Sequence, residues 1–286
     1  MKKLLRAAID HLPARQPMLK ALRLVRPPKS IYSRLRFRGE FNVPVNGSGS
    51  FAMLSHGHGD ENAIFWRGLF GFGETASMQL WVRLCTESSC IFDVGANWGL
   101  FSLVAAAANP GARVFGFEPV TPSLEVFKAN VALNQFTALE IIHAAVGDTD
   151  GTLPMFFNPS DTKQASLGGG AGTVREDVTA LRLDTFVRQR GLSRLDLLKI
   201  DVETFEPLVL QGMGAILAEQ HPSILIEVLN DDVGARLEQL LPRDYRMFHV
   251  DEESGPKRRD SIRRISRKSR NYFLCSAAKA QALGLS

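Results

Sequence analysis

The chain has 286 residues, 45% hydrophobic and 22% charged, with a formal net charge of +4. That is enough chain to bury a core as one large domain or a domain with an extension, and no apolar run nears the roughly 18 residues of a membrane span. Three cysteines without metal-ligand spacing (Cys85, Cys90, Cys275) exclude a disulfide framework and read as reduced thiols of a cytoplasmic protein.

The charge is unevenly spread. Residues 1–38 hold eleven Lys/Arg against one acid, Asp10, and residues 257–270 hold eight against one, Asp260. The rest is acidic, with 15 basic and 28 acidic residues. Basic segments suit phosphates, nucleic acid or the anionic inner face of a membrane, although solvated tails and loops carry the same composition. The N-terminus begins like a signal peptide, but Asp10, His11 and Arg15 interrupt any apolar region, so no cleavage is expected.

In chain order, residues 1–38 predict a basic amphipathic helix broken at "RPPKS". Residues 39–88 predict an accessory layer: a strand through "RLRFRGEFNVPV", a turn at "NGSGS", and a helix after Glu74 and Thr75. From residue 89 strands and helices alternate to the end. "CIFDVG" predicts a first strand, "GLFSLVAAAAN" a helix, and "ARVFGFEP" a second strand. A helix capped by Thr121 with Pro122 behind it follows, then a third strand, "LEIIHAAVGD". "GTLPMFFNPS" and "SLGGGAGT" predict a hairpin and a mobile loop that could lie over a ligand. "LRLDTFVRQRGL" predicts a short helix, "LDLLKIDV" and "PSILIEVL" two more strands, and "YRMFHVD" and "NYFLCSA" a closing pair joined by the basic segment. Apolar strands joined by helices pair in parallel, and runs such as "ILIEV" lack the alternation of a half-exposed strand. The expectation is an α/β fold: a seven-stranded, mostly parallel sheet with helices on both faces, whose ligand lies beyond the strands' carboxyl ends.

The chemistry concentrates at those ends. Gly95 allows a sharp turn close to a ligand. Glu118 ends the second strand, where an acid accepts hydrogen bonds from a ribose diol. The turn "DVGANWGLFS" is not the G-x-G-x-x-G of a dinucleotide site, and Asp93 before it would repel a pyrophosphate. An acid there suits a cationic ligand such as S-adenosylmethionine, with its sulfonium, amino group and ribose. A structural cap or ion pair is the alternative for Asp93, and a surface acid for Glu118.

"FDVGANWGLFS", "GFEP", "AAVGD", "LDTF" and "LDLLKIDVETFEPLVLQG", in this order over residues 90 to 230, resemble the FkbM family of S-adenosylmethionine-dependent methyltransferases. The resemblance implies a class I methyltransferase-like (Rossmann-like) fold and O-methylation of a small hydroxylated substrate, a sugar, glycoconjugate or natural product. It implies that Asp93, Gly95, Ala96 and Asn97 line the methionine end of the cofactor. Glu118 would hold the ribose and Pro119 would stiffen the turn after it, while Ala145, Val146 and Asp148 would flank the adenine. Asp201 would face the reaction centre. The family pattern there is K-I-D-V-E-G-x-E, and this chain has Thr204 in place of the glycine.

A hydroxyl nucleophile must lose its proton, and Asp201, Glu203 and Glu227 are the candidate bases, with His56 or His58 as others. A divalent ion such as Mg2+ bridging Asp201 and Glu227 is a second way to acidify it. Lys199 and Asp201 share a strand face, so one can orient the other. Asp148 also reads as a turn residue, and Glu203 and Glu206 as first-turn helix acids. Phe65, Trp66, Phe70 and Phe72 read either as core or as a sugar platform. The alternative function is a nucleic-acid-binding methyltransferase gripping phosphates through the basic segments; "DVET" stands where base-modifying enzymes carry an N/D-P-P-Y tetrad.

Overall fold

The computed structural model describes residues 15–45, 47, 49–158, 161–166 and 174–285. The expected glycine-rich loop and the first 14 residues of the basic extension lie outside them.

The N-terminal segment contributes α1 (Arg15–Leu24) and α2 (Lys29–Tyr32). The hairpin β1 (Gly39–Val45) and β2 (Gly49–Ser55) follows, then α3 (Gly59–Arg67) and α4 (Thr75–Thr86). The alternating part runs β3 (Cys90–Val94), α5 (Leu100–Ala108), β4 (Arg113–Phe117), α6 (Thr121–Ala132) and β5 (Leu139–Ile142). An insertion carries β6 (Ala145–Val146), β7 (Gly151–Asn158), β8 (Asp161–Ser166) and β9 (Val174–Leu181). Then come α7 (Leu183–Gln189), β10 (Leu197–Ile200), α8 (Glu206–Gly212), α9 (Ala215–Gln220), β11 (Ser223–Glu227) and α10 (Asp231–Leu240). The chain closes with β12 (Tyr245–Asp251), β13 (Gly255–Arg259), β14 (Asn271–Ser276) and α11 (Ala277–Ala282).

The main sheet has the order β13-β12-β14-β11-β10-β3-β4-β5. Pairing is parallel from β11 to β5, and β14 is inserted antiparallel between β11 and β12. This is the expected class I methyltransferase-like sheet, with one strand more than the seven predicted. The extra strand, β13, comes from the start of the second basic segment, expected as a loop. Its backbone pairs with the edge of β12 while its cations stay in solvent.

Two further expectations need correction. The third strand leaves the sheet at Ile142, whose carbonyl accepts the Glu118 N–H (3.1 Å). Ala145–Val146 instead pair with β9 in a separate four-stranded sheet, β6-β9-β7-β8, where a hairpin and loop were expected. Thr121 is not the cap of α6; Val120 is, and the Thr121 hydroxyl donates to Glu176 on β9.

Side-chain alternation splits the core. Phe92, Val94, Leu198 and Ile200 face α7, α8 and α10. Ile91 and Leu197 face the other way, into a cluster shared by α4, α5, the β1–β2 hairpin and Leu19 of α1. The region 39–88 thus packs into the same core as the sheet. Asp93 and Lys199, two residues on from Ile91 and Leu197, point to this same side and are adjacent in the β3–β10 register.

Candidate active site

The parallel strands β11, β10, β3 and β4 end at one edge, and β3 and β10, whose crossovers run in opposite directions, are neighbours. The loops after these strands wall a cavity of about 300 Å3. This is the switch point at which an open α/β sheet leaves a crevice.

The loop after β3 is shaped by its backbone. Gly95 (φ +80°) and Ala96 both donate their N–H groups to the carbonyl of Phe117, at 3.0 and 2.9 Å. A Cβ on Gly95 would lie 1.9 Å from the carbonyl oxygen of Asp201, so glycine is required by the neighbouring loop and not only by a ligand. At Gly99 (φ +87°), which begins α5, a Cβ would lie 2.1 Å from the ring of Phe127. Between them Asn97 takes a left-handed φ of +52°, which Asn tolerates, and donates its N–H to Glu118 Oε2 at 2.7 Å.

Glu118 follows β4 and is 5% exposed. Its other oxygen, Oε1, accepts the N–H of Val120 at 2.8 Å. Burial pushes its pKa to about 7, against the pull of these two donors. An ionised carboxylate has about four acceptor positions, so about half remain for a ligand. Pro119 and Val146 line the cavity beside it.

Asp93 corrects the expectation of a ligand-facing acid. It is 1% exposed, stands within β3 and is not among the cavity-lining residues. Its Oδ2 accepts from the Ser102 hydroxyl at 2.7 Å, and its Oδ1 has no partner. Burial raises its pKa, opposed by the adjacent Lys199. Asp148 likewise does not line the cavity; its carbonyl accepts from the Arg182 guanidinium at 2.9 Å.

The other flank of the cavity carries Asp201, Glu203 and Glu227, with oxygens within 4.8 Å of one another. Lys199 Nζ donates to Asp201 Oδ2 at 3.0 Å, as their shared strand face predicts, and lies 4.5 Å from the ring centre of Phe101. Burial works against the charge of Lys199, but Asp201, Asp93 and Glu74 outweigh it and lift its pKa. Glu227 is raised to about 8, first by burial and then by Asp201, while Arg270 Nη1 holds it at 3.3 Å. Glu203 and Thr204 both have positive φ, +52° and +81°. Thr204 therefore stands in the left-handed turn that the family's glycine would favour.

His56 and His58 are not among the residues that line the cavity. His58 is the N-cap of α3, and Glu61 Oε2 accepts the N–H of His56 (2.7 Å) and of His58 (3.1 Å) in a capping box. Phe65 and Trp66 are core; Phe72 alone of the suspected platform lines the cavity. Glu74, Asp60 and Arg270 were not anticipated at the site. Glu74 reads in the sequence as a helix-start acid and Arg270 as one cation among eight, with nothing local to mark either.

A family model described as "Methyltransferase FkbM domain" matches residues 93–247. Among curated relatives, "Methyltransferase sdnD" of Sordaria araneosa is 31% identical over 173 residues, 49% of this chain and 64% of that protein. "31-O-demethyl-FK506 methyltransferase FkbM" of Streptomyces tacrolimicus is 32% identical over 192 residues, 57% of this chain and 72% of that protein. Among solved structures, a "SAM Dependent Methyltransferase from Agrobacterium tumefaciens" is similar over 84% of this chain and 71% of its own, at 12% identity and a TM-score of 0.46.

Proposed function

The chain belongs to the FkbM methyltransferase family, and from that premise we propose that it is an S-adenosylmethionine-dependent O-methyltransferase acting on a hydroxyl of a small molecule, a sugar, glycoconjugate or natural product. The observation that carries this reading is the Glu118 carboxylate, held by two backbone N–H groups at the rim of the cavity with acceptor positions to spare. Those positions fit a ribose diol, and the Gly95–Asn97 backbone lies beside the place of the methionine end. Val146 stands where the adenine would rest.

S-adenosylmethionine, when bound, supplies a methyl group on a sulfonium, electrophilic enough that alignment carries much of the rate. The chain's task is to align an acceptor hydroxyl and take its proton. Glu227 suits that task, since a base with a pKa of about 8 is available in part near neutrality and fully above pH 8, and is basic enough to accept the proton. Asp201, fixed by Lys199, orients the hydroxyl, and Glu203 is the third acid within reach. The spacing of the three carboxylates also fits a hard divalent ion such as Mg2+, which would acidify the hydroxyl instead. Loss of activity in EDTA, restored by Mg2+, separates that route from a carboxylate acting alone.

Isothermal titration with S-adenosylhomocysteine tests the reading. The intact chain binds it, and Glu118→Ala weakens binding at least tenfold; no heat with the intact chain would overturn the assignment.

We also infer that the N-terminal segment rests on an anionic lipid surface. Four of the six exposed large apolar side chains among the described residues lie at Met18, Leu24, Val25 and Ile31. Residues 15–38 carry eight Lys/Arg and no acid. Flotation with phosphatidylglycerol vesicles is expected, falling with salt and lost in a Leu24→Ser, Val25→Ser double variant; equal flotation with phosphatidylcholine alone contradicts it.

A further inference from the structure

Strand order divides the cavity into two flanks. The loops after β3, β4 and β5 form one, and the ends of β10 and β11 form the other. On the methyltransferase reading, the nucleoside takes the first flank, which leaves the second for the acceptor. Region 39–88 reaches the cavity through Asp60, Phe72 and Glu74.

Glu74 is held there by an exchange of roles with a distant acid. It occupies the N-cap of α4, where a side-chain oxygen ordinarily accepts the first unpaired helix N–H groups, yet its side chain makes no such bond. Glu252, just after β12, caps the helix in its place, its Oε2 accepting from Ala76 N–H at 2.9 Å and Ser77 N–H at 3.2 Å. The Glu74 carboxyl lines the cavity instead, its Oε2 accepting from Asn271 Nδ2 at 3.3 Å. Asn271 is the residue opposite Glu227 in the β11–β14 register, so Glu74 stands on the same flank as the candidate base. Burial lifts the Glu74 pKa to about 7, against the pull of Lys199. A carboxyl kept in such surroundings without capping its own helix costs stability, and a ligand group is what would offset it.

The charge of the walls narrows the ligand. Six carboxylates line the cavity, those of Asp60, Glu74, Glu118, Asp201, Glu203 and Glu227, against the two cations Lys199 and Arg270. Both cations are bonded to wall carboxylates, Lys199 to Asp201 (3.0 Å) and Arg270 to Glu227 (3.3 Å). A phosphate or carboxylate entering this space would find both lining cations already engaged and would meet like charge that grows as the wall acids ionise.

We propose that Glu74 is an acceptor-binding residue, accepting a hydrogen bond from a hydroxyl or ammonium group of the acceptor, and that the acceptor is a neutral or amino-bearing polyol without an anionic group near its methylated position. The inference rests on the methyltransferase reading, which is checked first by S-adenosylhomocysteine binding to the intact chain. With that ligand bound, saturation-transfer NMR is recorded for methyl α-glucoside, glucosamine, glucuronate and glucose 6-phosphate at equal concentration. The neutral and amino sugars are expected to give signals at least fivefold above the two anionic ones. Glu74→Gln keeps the acceptor oxygen for Asn271 but loses the charge. It is expected to reduce the glucosamine signal at least threefold with a melting temperature no lower than that of the unaltered chain and unchanged S-adenosylhomocysteine affinity. Glu74→Asp, which keeps the charge and shortens the reach, covers the case in which the Gln variant fails to fold, and is expected to lower both sugar signals. Equal or stronger signals from the anionic sugars overturn the proposal, as does silence from all four or undiminished signals in the folded variants. A variant that loses S-adenosylhomocysteine along with the sugars overturns it too, since Glu74 would then serve the cofactor flank.

Discussion

At Thr204 the chain places a β-branched residue where φ is +81°, a conformation that such side chains rarely adopt. The side chain is exposed, so nothing it packs against repays the strain. Thr204→Gly is expected to stabilise the folded state in urea melts by about 1 kcal/mol, less the entropy glycine gains when unfolded. A loss of more than about 1 kcal/mol would show that the Thr204 side chain is needed. The sequence flagged this position by its departure from the family pattern, and the backbone supplies the physical reason. Glu118 and the triad Asp201, Glu203 and Glu227 were also legible, because strand ends before turns can be found from apolar runs. Asp93 was misplaced because the sequence cannot tell the last residue of a strand from the one before it, and that step exchanges cavity for core. For Glu227 the expected pH dependence has a definite sign. Its pKa of about 8 means that a base in this position is protonated below that pH, so the methylation rate rises with pH through 8 and levels off above it. Glu227→Gln flattens that rise; a rate already level from pH 6 assigns the base elsewhere.

At the scale of elements, the accessory hairpin is fastened to the sheet domain by two asparagines of α6 and the residues just after it. Asn130 Oδ1 accepts the N–H of Leu54 at 2.9 Å, and its Nδ2 donates to the carbonyl of Trp98 at 2.9 Å. Asn134 Oδ1 and Nδ2 bond both backbone groups of Ala52, each at 2.8 Å. Asn130 is fully buried and ties β2 to the loop that walls the cavity. Asn130→Ala leaves both backbone partners unsatisfied and is expected to cost about 1–3 kcal/mol. Amide exchange should quicken in residues 52–54 and 96–98 together; exchange confined to one of the two would contradict the coupling. Periodicity revealed α4, α5 and the parallel strands because their apolar spacing is long and regular. It could not reveal that β6 to β9 form their own sheet, since pairing partners of short strands depend on contacts far apart in sequence. The edge strand β13 was hidden for a different reason: its cations disguise a backbone that pairs on one side only.

At the scale of the whole molecule, the fold holds acids of the cavity and of the start of α8 beside it close to neutrality. Glu74, Glu118 and Glu206 are each lifted by burial to about 7, above the roughly 4.3 of an unfolded glutamate. Between these values the folded chain keeps protons that the unfolded chain has lost. Stability from these groups is therefore full below about pH 4 and falls as pH rises towards 7. The melting temperature without ligand is expected to drop between pH 5 and 7.5, and Glu206→Gln, which keeps the Oε1 acceptor for Val202 and Thr204, should shallow that drop. A melting temperature that climbs over the same interval would show that these acids are ionised in the folded chain. Composition exposed the acidic body but not its focus, because only folding brings residues 60, 74, 118, 201, 203 and 227 to one cavity. The most direct measurement of the account is the crystal structure of the chain with S-adenosylhomocysteine. It is predicted to place the ribose hydroxyls on the Glu118 carboxylate, with the sulfur towards Asp201 and Glu227. A nucleoside seated elsewhere, with Glu118 bonded only to Asn97 and Val120, would contradict it.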